Sequence, residues 1–255
     1  MLALERRNQI YEKLQRDKKV VVSELSQFYN VTEETIRRDL DKLERDGLAI
    51  KSYGGAILNE NTNIDLPFNI RKQHNVTGKQ KIAELVERLI QSGDHLMLDA
   101  SSTSVFIAKA LKKKDNITVV TNSVEVMIEL ADKENWNIIS TGGRIKNGGL
   151  AMEGMQAVEG IQQYNTDKVI VSCKAFDITN GFTDSSEETV CVKRAMLKAG
   201  QVRIMAVDSS KFERKAFCKI VDLKEIDYIV TDKRPEDEIL YVLEKANVKI
   251  IYPEE

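Results

Sequence analysis

Apolar and polar positions follow two rhythms along this chain. From Glu5 to Leu43 the spacing is helical. Ile10 and Leu14 predict a first helix over Glu5–Arg16, and Leu25 and Phe28 a short second one bounded by Ser23. Ile36, Leu40 and Leu43, at i, i+4 and i+7, predict a third. Tyr29-Asn30-Val31 makes the turn between the second and third. Thr32 suits the N-cap of the third helix, and Glu33 and Glu34 follow in the first turn, where the helix dipole favours acid. Gly47 stops that helix. Leu48 to Leu58 then alternates around Gly54-Gly55, the signal of a two-stranded wing.

The pattern breaks at Asn59–Asn75. N-E-N-T-N-I-D is polar and aperiodic and reads as a linker, while L-P-F-N-I-R (66–71) is partly apolar and suited to dock on one domain. Helical spacing returns at Ile82, Leu85, Val86, Leu89 and Ile90. The second rhythm starts there, with short apolar runs alternating with amphipathic segments. The expected strands are His95–Leu98, Ile117–Thr121, Trp136–Ser140, Lys168–Val171, Val202–Val207, Tyr228–Thr231 and Val248–Ile251. Such alternation predicts a mostly parallel sheet with helices on both faces. The expected class is therefore α/β. A small winged helix-turn-helix domain (1–58) and a linker (59–75) precede a Rossmann-like α/β domain (76–255).

Composition narrows this picture. A chain of 255 residues, 42% hydrophobic and 31% charged, fits two ordinary globular domains. No apolar run approaches the roughly 20 residues that span a bilayer, so no membrane partner is expected. The stretch M-L-A-L-E-R-R-N-Q lacks an h-region and a cleavage site, and a cytoplasmic location is expected. Cys173, Cys191 and Cys218 form no C-x-x-C, which suits a reducing compartment. His74 and His95 stand alone, so neither a metal nor a cofactor is expected.

Candidate chemistry lies at two places. Thr35, Arg37, Arg38 and Lys42 fall off the apolar stripe of the third helix, and Lys51 and Tyr53 fall on the wing. A helix with such a face enters a major groove, with the wing near phosphates or the minor groove. Residues 1–58 hold 11 Lys/Arg against 10 Asp/Glu, a milder balance than that of many DNA binders. A three-helix domain that binds protein is the alternative. Pattern, caps, turn and wing all agree with the DNA reading.

The second place is the set of loops after the strands, where ligands of parallel α/β folds sit. They read D-A-S-S-T-S (99–104), T-N-S (121–123), T-G-G-R (141–144), C-K-A-F-D (173–177) with G-F-T-D (181–184), and D-S-S-K-F (208–212). Ser101, Ser102, Thr103 and Ser104 stand where a helix N-terminus binds anions. Thr121, Asn122, Gly142 and Gly143 line the next loops. Arg144, Lys174 and Lys211 add positive charge. Asp99, Asp177 and Asp208 could accept hydrogen bonds from sugar hydroxyls. Each loop also has a plainer reading: Ser101 as a helix cap, Gly142-Gly143 as a turn, Asp177 as an Asx-turn.

R-R-N-Q-I-Y-E-K-L (6–14), V-S-E-L-S (22–26), T-I-R-R-D-L-D-K-L (35–43) and Y-G-G-A (53–56) closely resemble the DeoR family of bacterial transcriptional regulators, and the resemblance runs over nearly the whole chain. It implies a winged helix-turn-helix that binds operator DNA, and a sensor domain with the sugar-phosphate isomerase fold that binds a phosphorylated sugar or related metabolite. It places Thr35, Arg37 and Arg38 toward DNA. The family's D-A-G-S-T-T phosphate loop stands here as D-A-S-S-T-S. Its G-A-[ND]-G-I-D-like run stands as C-K-A-F-D. E-T-V-C-V-K-R-A-M (188–196) and D-S-S-K-F match well and carry over Glu188, Lys193, Arg194, Asp208, Ser210 and Lys211. Salt bridging is the plain alternative for Lys193 and Arg194.

The function expected is a regulator, a repressor by family habit, whose effector shifts a conformational or assembly equilibrium. A homo-oligomer, dimer or tetramer, would match repeated half-sites. An isomerase-like enzyme would instead use Asp177, Glu188 and Lys193 to move protons; the attached DNA module speaks against it, and no catalytic residue is assigned. A third reading makes the second domain an oligomerisation module alone.

Overall fold

The computed structural model describes residues 2–59, 67–145 and 149–254. Part of the expected linker, residues 60–66, lies outside them. The chain divides into two compact units, Met1–Gln73 and His74–Glu255.

The first unit runs α1 (Ala3–Asp17), β1 (Lys19–Val21), α2 (Val22–Tyr29), α3 (Glu33–Arg45), β2 (Ala49–Ser52), β3 (Gly55–Leu58) and α4 (Phe68–Gln73). Ile10 and Leu14 of α1, Leu25 of α2, and Ile36, Leu40 and Leu43 of α3 form one core with Val20, Leu48 and Ala56. Ile70 of α4 packs on that core. Gly47, at φ 74, turns the chain out of α3 in a left-handed conformation that suits a residue without Cβ. A buried ion pair between Arg6 Nε and Asp39 Oδ2, 2.6 Å, ties α1 to α3.

Two expectations need correction here. The wing has three strands, ordered β1-β3-β2 and antiparallel, with Val20 opposite Ala56. Lys19–Val21 is too short to show a period before Val22 begins α2. Phe28, expected inward, is exposed. The helix ends two residues later at Asn30, which is left-handed, and Tyr29 and Val31 pack on the core instead. The Phe28 ring stands edge-on to Tyr29 with centroids 4.9 Å apart.

The second unit begins with α5 (Val76–Leu89), β4 (His95–Leu98), α6 (Ser102–Leu111), β5 (Thr118–Thr121), α7 (Val124–Leu130) and β6 (Asn137–Ser140). A short hairpin follows, β7 (Arg144–Ile145) and β8 (Met152–Glu153), then α8 (Met155–Ile161) and β9 (Thr166–Val171). Next come β10 (Ala175–Asp177), β11 (Gly181–Asp184), α9 (Glu187–Ala199) and β12 (Gly200–Ala206). The chain continues through β13 (Cys218–Val221), β14 (Tyr228–Val230), α10 (Asp237–Lys245) and β15 (Lys249–Ile251).

All seven expected strands form one sheet, ordered β15-β14-β12-β9-β4-β5-β6, and every pairing in it is parallel. The apolar runs are nearly continuous because both faces are covered. From β4 the chain builds outward to β6, then returns to lay β9 on the other side of β4. The order therefore reverses between β4 and β9, and a crevice at such a point is where open α/β sheets hold ligands. A small antiparallel sheet, β10-β11-β13, adds to the unit. Phe176 of β10 stacks on Phe182 at 4.7 Å and meets Phe212 edge-on at 5.1 Å.

Candidate functional site

The outward side of α3 carries the candidate DNA contacts. Thr32 caps the helix by accepting from the Thr35 N–H at 3.3 Å, and the two hydroxyls lie 3.0 Å apart. Arg37 donates to Glu33 at 2.8 Å, Arg38 pairs with Glu34 at 3.1 Å, and Lys42 pairs with Asp46 at 3.2 Å. Each is an i,i+4 pair; the two arginine pairs are exposed, and Lys42–Asp46 is half-buried. Lys51 of β2 reaches across to Asp41 of α3, whose carboxylate holds its ammonium above the ordinary lysine range. Tyr53 is fully exposed at the wing tip.

In the second unit the candidates gather where the strand order reverses. Asp99, just after β4, is buried and takes hydrogen bonds on both carboxylate oxygens. Oδ1 accepts from the Ser101 N–H at 3.1 Å and the Ser104 hydroxyl at 2.6 Å, and Oδ2 accepts from the Ser172 N–H at 3.0 Å. Ser101 caps α6 by accepting from the Ser104 N–H at 3.0 Å. The aspartate thus knits the end of β4 to the end of β9 and fixes the first turn of α6.

Two lysines stand beside it. Lys193 of α9 is buried and donates to Asp184 Oδ2 at 2.6 Å and the Ser172 carbonyl at 2.7 Å, with Asp99 Oδ2 at 3.3 Å. Burial works to lower its pKa, but Asp184 and Asp99 outweigh burial and raise it, so the ammonium stays charged. Burial likewise works against the Asp184 carboxylate, and Lys193 holds it below the usual range. Lys211, in the turn after β12, donates to the Ser172 hydroxyl at 2.9 Å and lies 3.3 Å from Asp208. Burial works against ionised Asp208 too, but Lys211 and the Ser210 hydroxyl hold its pKa well below the carboxylate range. Burial pushes the neighbouring Cys173 thiol up to about 12, which leaves it unreactive at neutral pH.

Thr121, at the end of β5, donates to the Leu98 carbonyl at 2.7 Å, and Asn122 donates to the Met152 carbonyl at 2.9 Å. Thr103 Oγ1 and Asn122 Oδ1 are buried without a hydrogen-bond partner. Gly143, at φ 110, lies against the start of α8; a Cβ there would fall 2.8 Å from the Glu153 carbonyl oxygen. Gly142 and Arg144 are exposed beside it.

Other expected residues lie apart. Asp177 accepts from the backbone N–H groups of Thr179 and Asn180 at 2.8 and 2.6 Å, so it caps the β10–β11 turn, its plainer reading. Glu188 is exposed in the first turn of α9. The Lys174 N–H donates to Thr183. Arg194 donates to the carbonyls of Ile220 and Lys219 and braces β13. Within C-K-A-F-D, Phe176 belongs to the core.

Sequence reasoning missed Ser172, Asp184, Asn75 and Asp232. The strand-end rule that flagged Asp99 and Asp208 also points to Asp232, after β14. Asp232 accepts from the Ser209 N–H at 2.6 Å, and the Asn75 amide reaches both Asp208 (3.3 Å) and Asp232 (3.5 Å) while its oxygen caps α5. Ser172 contributes mainly backbone, which no residue pattern shows. Among the described residues, no cluster of three metal-ligating side chains occurs, and no helix is long and apolar enough to cross a membrane.

A helix-turn-helix with Arg37 and Arg38 on its outward side, followed by a parallel α/β unit with Asp99, Lys193 and Lys211 gathered where the strand order reverses, is the arrangement of a DNA-binding regulator with a sensor domain. Residues 6–62 match the DeoR-like helix-turn-helix domain and residues 74–233 the DeoR C terminal sensor domain. The chain belongs to the DeoR family of transcriptional regulators. It is 37% identical over 98% of its length to the uncharacterized HTH-type transcriptional regulator YulB of Bacillus subtilis, covering 96% of that protein. It is 33% identical to the L-fucose operon activator of Haemophilus influenzae (91% and 93% covered), and 28% identical to the glycerol-3-phosphate regulon repressor of Escherichia coli (98% and 99%). These relatives are named as regulators, not as enzymes. Among solved structures, ribose 5-phosphate isomerase A of Methanocaldococcus jannaschii aligns with 52% of this chain and about half (53%) of its own length, at 13% identity and a TM-score of 0.39.

Proposed function

We propose that this chain represses an operon for carbohydrate use and that a phosphorylated sugar, or a related phosphorylated metabolite, controls its affinity for operator DNA. Residues 1–58 form the DNA-binding domain in this reading, with Thr35, Arg37, Arg38, Lys42, Lys51 and Tyr53 on DNA. The effector lies in the domain formed by residues 76–255. The observation that carries the reading is the meeting of the α6 N-terminus, Lys211 and Lys193 around Asp99 and Ser172, at the reversal of strand order.

Each group has a role in it. The first turn of α6 offers backbone N–H groups and the positive end of the helix dipole to a phosphate. Among the described residues Lys211 is held by a hydroxyl and a 3.3 Å ion pair, so it can turn to the ligand. Lys193 is committed to Asp184 and Asp99 and offsets their charge, which would otherwise oppose a bound phosphate. Thr103 and Asn122, each with a buried unpartnered oxygen, suit ligand hydroxyls, because buried polar atoms are normally paired. The protein acts in the cytoplasm as a homo-oligomer on repeated half-sites, and effector binding shifts the population that grips DNA.

A thermal-shift screen of phosphorylated sugars against their unphosphorylated counterparts tests this. A ligand at a hundred times its Kd adds about 2.7 kcal/mol to stability. The phosphorylated compound should raise the melting temperature of the wild type and have a much smaller effect on Lys211→Ala. No shift with any phosphorylated sugar or polyol would sink the effector half of the proposal.

A further inference from the structure

Every basic candidate on the DNA face is matched to an acid of its own unit. Arg37 has Glu33, Arg38 has Glu34, Lys42 has Asp46 and Lys51 has Asp41. We infer that these carboxylates set DNA specificity: they occupy the cations as phosphate stand-ins and suppress sequence-independent binding to the DNA backbone. The inference rests on the reading of α3 as the recognition helix.

The physical argument concerns exchange. An exposed i,i+4 pair contributes only about 0.3–0.5 kcal/mol, so a phosphate or a base edge can displace the carboxylate readily. The displaced Glu33 and Glu34 stay on the same helix, in its first turn, where they face the incoming phosphates. A duplex that offers backbone phosphates alone exchanges one anion for another and meets that repulsion. A duplex that offers base-edge acceptors in the right register gives Arg37 and Arg38 bidentate contacts that a carboxylate on the same helix does not replace. The acids therefore penalise random DNA more than the preferred site. Four of the ten acidic residues in 1–58, Glu33, Glu34, Asp41 and Asp46, sit in these pairs and so contribute to its near balance with 11 basic residues.

Helix stabilisation is the competing role, since acids in a first turn favour the helix dipole. Asp41 separates the two roles, because it lies in mid-helix and pairs with a lysine from β2.

The test uses the full chain and two probes: a 30-base-pair duplex of random sequence, and the tightest duplex that the wild-type protein selects from a random pool. The variants are Glu33→Gln with Glu34→Gln, Asp41→Asn alone, and Arg37→Ala with Arg38→Ala. The double glutamine variant should bind the random duplex about five- to tenfold more tightly at 0.1 M salt, with a salt slope steeper by about one to two, and gain less on the selected duplex. Asp41→Asn should move both readouts in the same direction by less. Unchanged or weaker binding of the random duplex by both acid variants, with the selected duplex lost in the arginine variant, would overturn the inference and leave the recognition helix standing. An arginine variant that still holds the selected duplex would overturn the recognition helix itself.

Discussion

On α3, Arg37 and Arg38 meet their carboxylates in water; beside β4, Lys193 meets Asp184 and Asp99 out of it. The chemistry is the same and the consequences differ. The α3 pairs are local, four residues apart, and open to solvent. They hold little energy, so another anion can displace them. Lys193 joins residues from α9, β11 and the end of β4, and each of those charges depends on the others to remain buried. The first arrangement permits exchange of partners; the second holds the ends of β4 and β9 to β11 and α9.

The largest expected effect comes from opening the buried set. Lys193→Met leaves Asp184 and Asp99 without their cation and should destabilise the protein by about 3–5 kcal/mol. Urea unfolding followed through Trp136, the single tryptophan and a buried residue of the second unit, reads this directly. A loss below about 1 kcal/mol would erase the contrast with α3.

Acid should sharpen the contrast next. Asp184 and Asp208 have folded pKa values lowered from the ordinary carboxylate value. A lowered acid contributes stability that is present above its unfolded pKa and lost as pH falls toward the folded one. The raised pKa of Lys193 adds stability present throughout acid and neutral conditions, lost only as pH rises through its folded value. Unfolding free energy read at Trp136 should therefore fall as pH drops below about 4, the unfolded aspartate value. Asp184→Asn should flatten part of that fall. An equally steep fall in Asp184→Asn would assign the acid sensitivity elsewhere.

The smallest stability effect belongs to α3. Arg37→Ala and Arg38→Ala should each cost about 0.5 kcal/mol or less while operator binding is lost. A loss above about 1.5 kcal/mol from either would mean that the arginine packs rather than reads DNA.

Much of this architecture was legible in the sequence, and the gaps have physical causes. The seven parallel strands stood out as short apolar runs; burial on both faces explains the inner ones, His95–Leu98 being the plainest, while the edge strands β6 and β15 are only half-buried or exposed. Residues of the antiparallel β10-β11-β13 sheet gave no such run: Ala175–Asp177 has three residues, and Gly181–Asp184 reads as a loop. Ile36, Leu40 and Leu43 were visible from spacing, yet Asp39 beside them was not, since nothing local says that Arg6 will arrive to bury it. At the crevice, Asp99, Lys193, Asp208 and Lys211 were found by position after strands or by family match. Asp177 was selected by the same rule and caps a turn, because β9 is followed by a hairpin and not by a helix. Asp184 sat in a loop that was noted but drew no candidate, and its partnership with Lys193 depends on the fold of β11.

The reversal of strand order also bears on how the protein is made. Asp99 and Ser172, which close the crevice, are 73 residues apart in sequence, whereas the pairs of the first unit are mostly near neighbours. Long-range contacts form more slowly than local ones because the chain must first close a large loop. The first unit can therefore settle during synthesis, well before β9 has been made to meet β4. Until that meeting the proposed effector site does not exist, so a newly made chain would acquire its proposed DNA-reading face before it acquires the means to be told to let go.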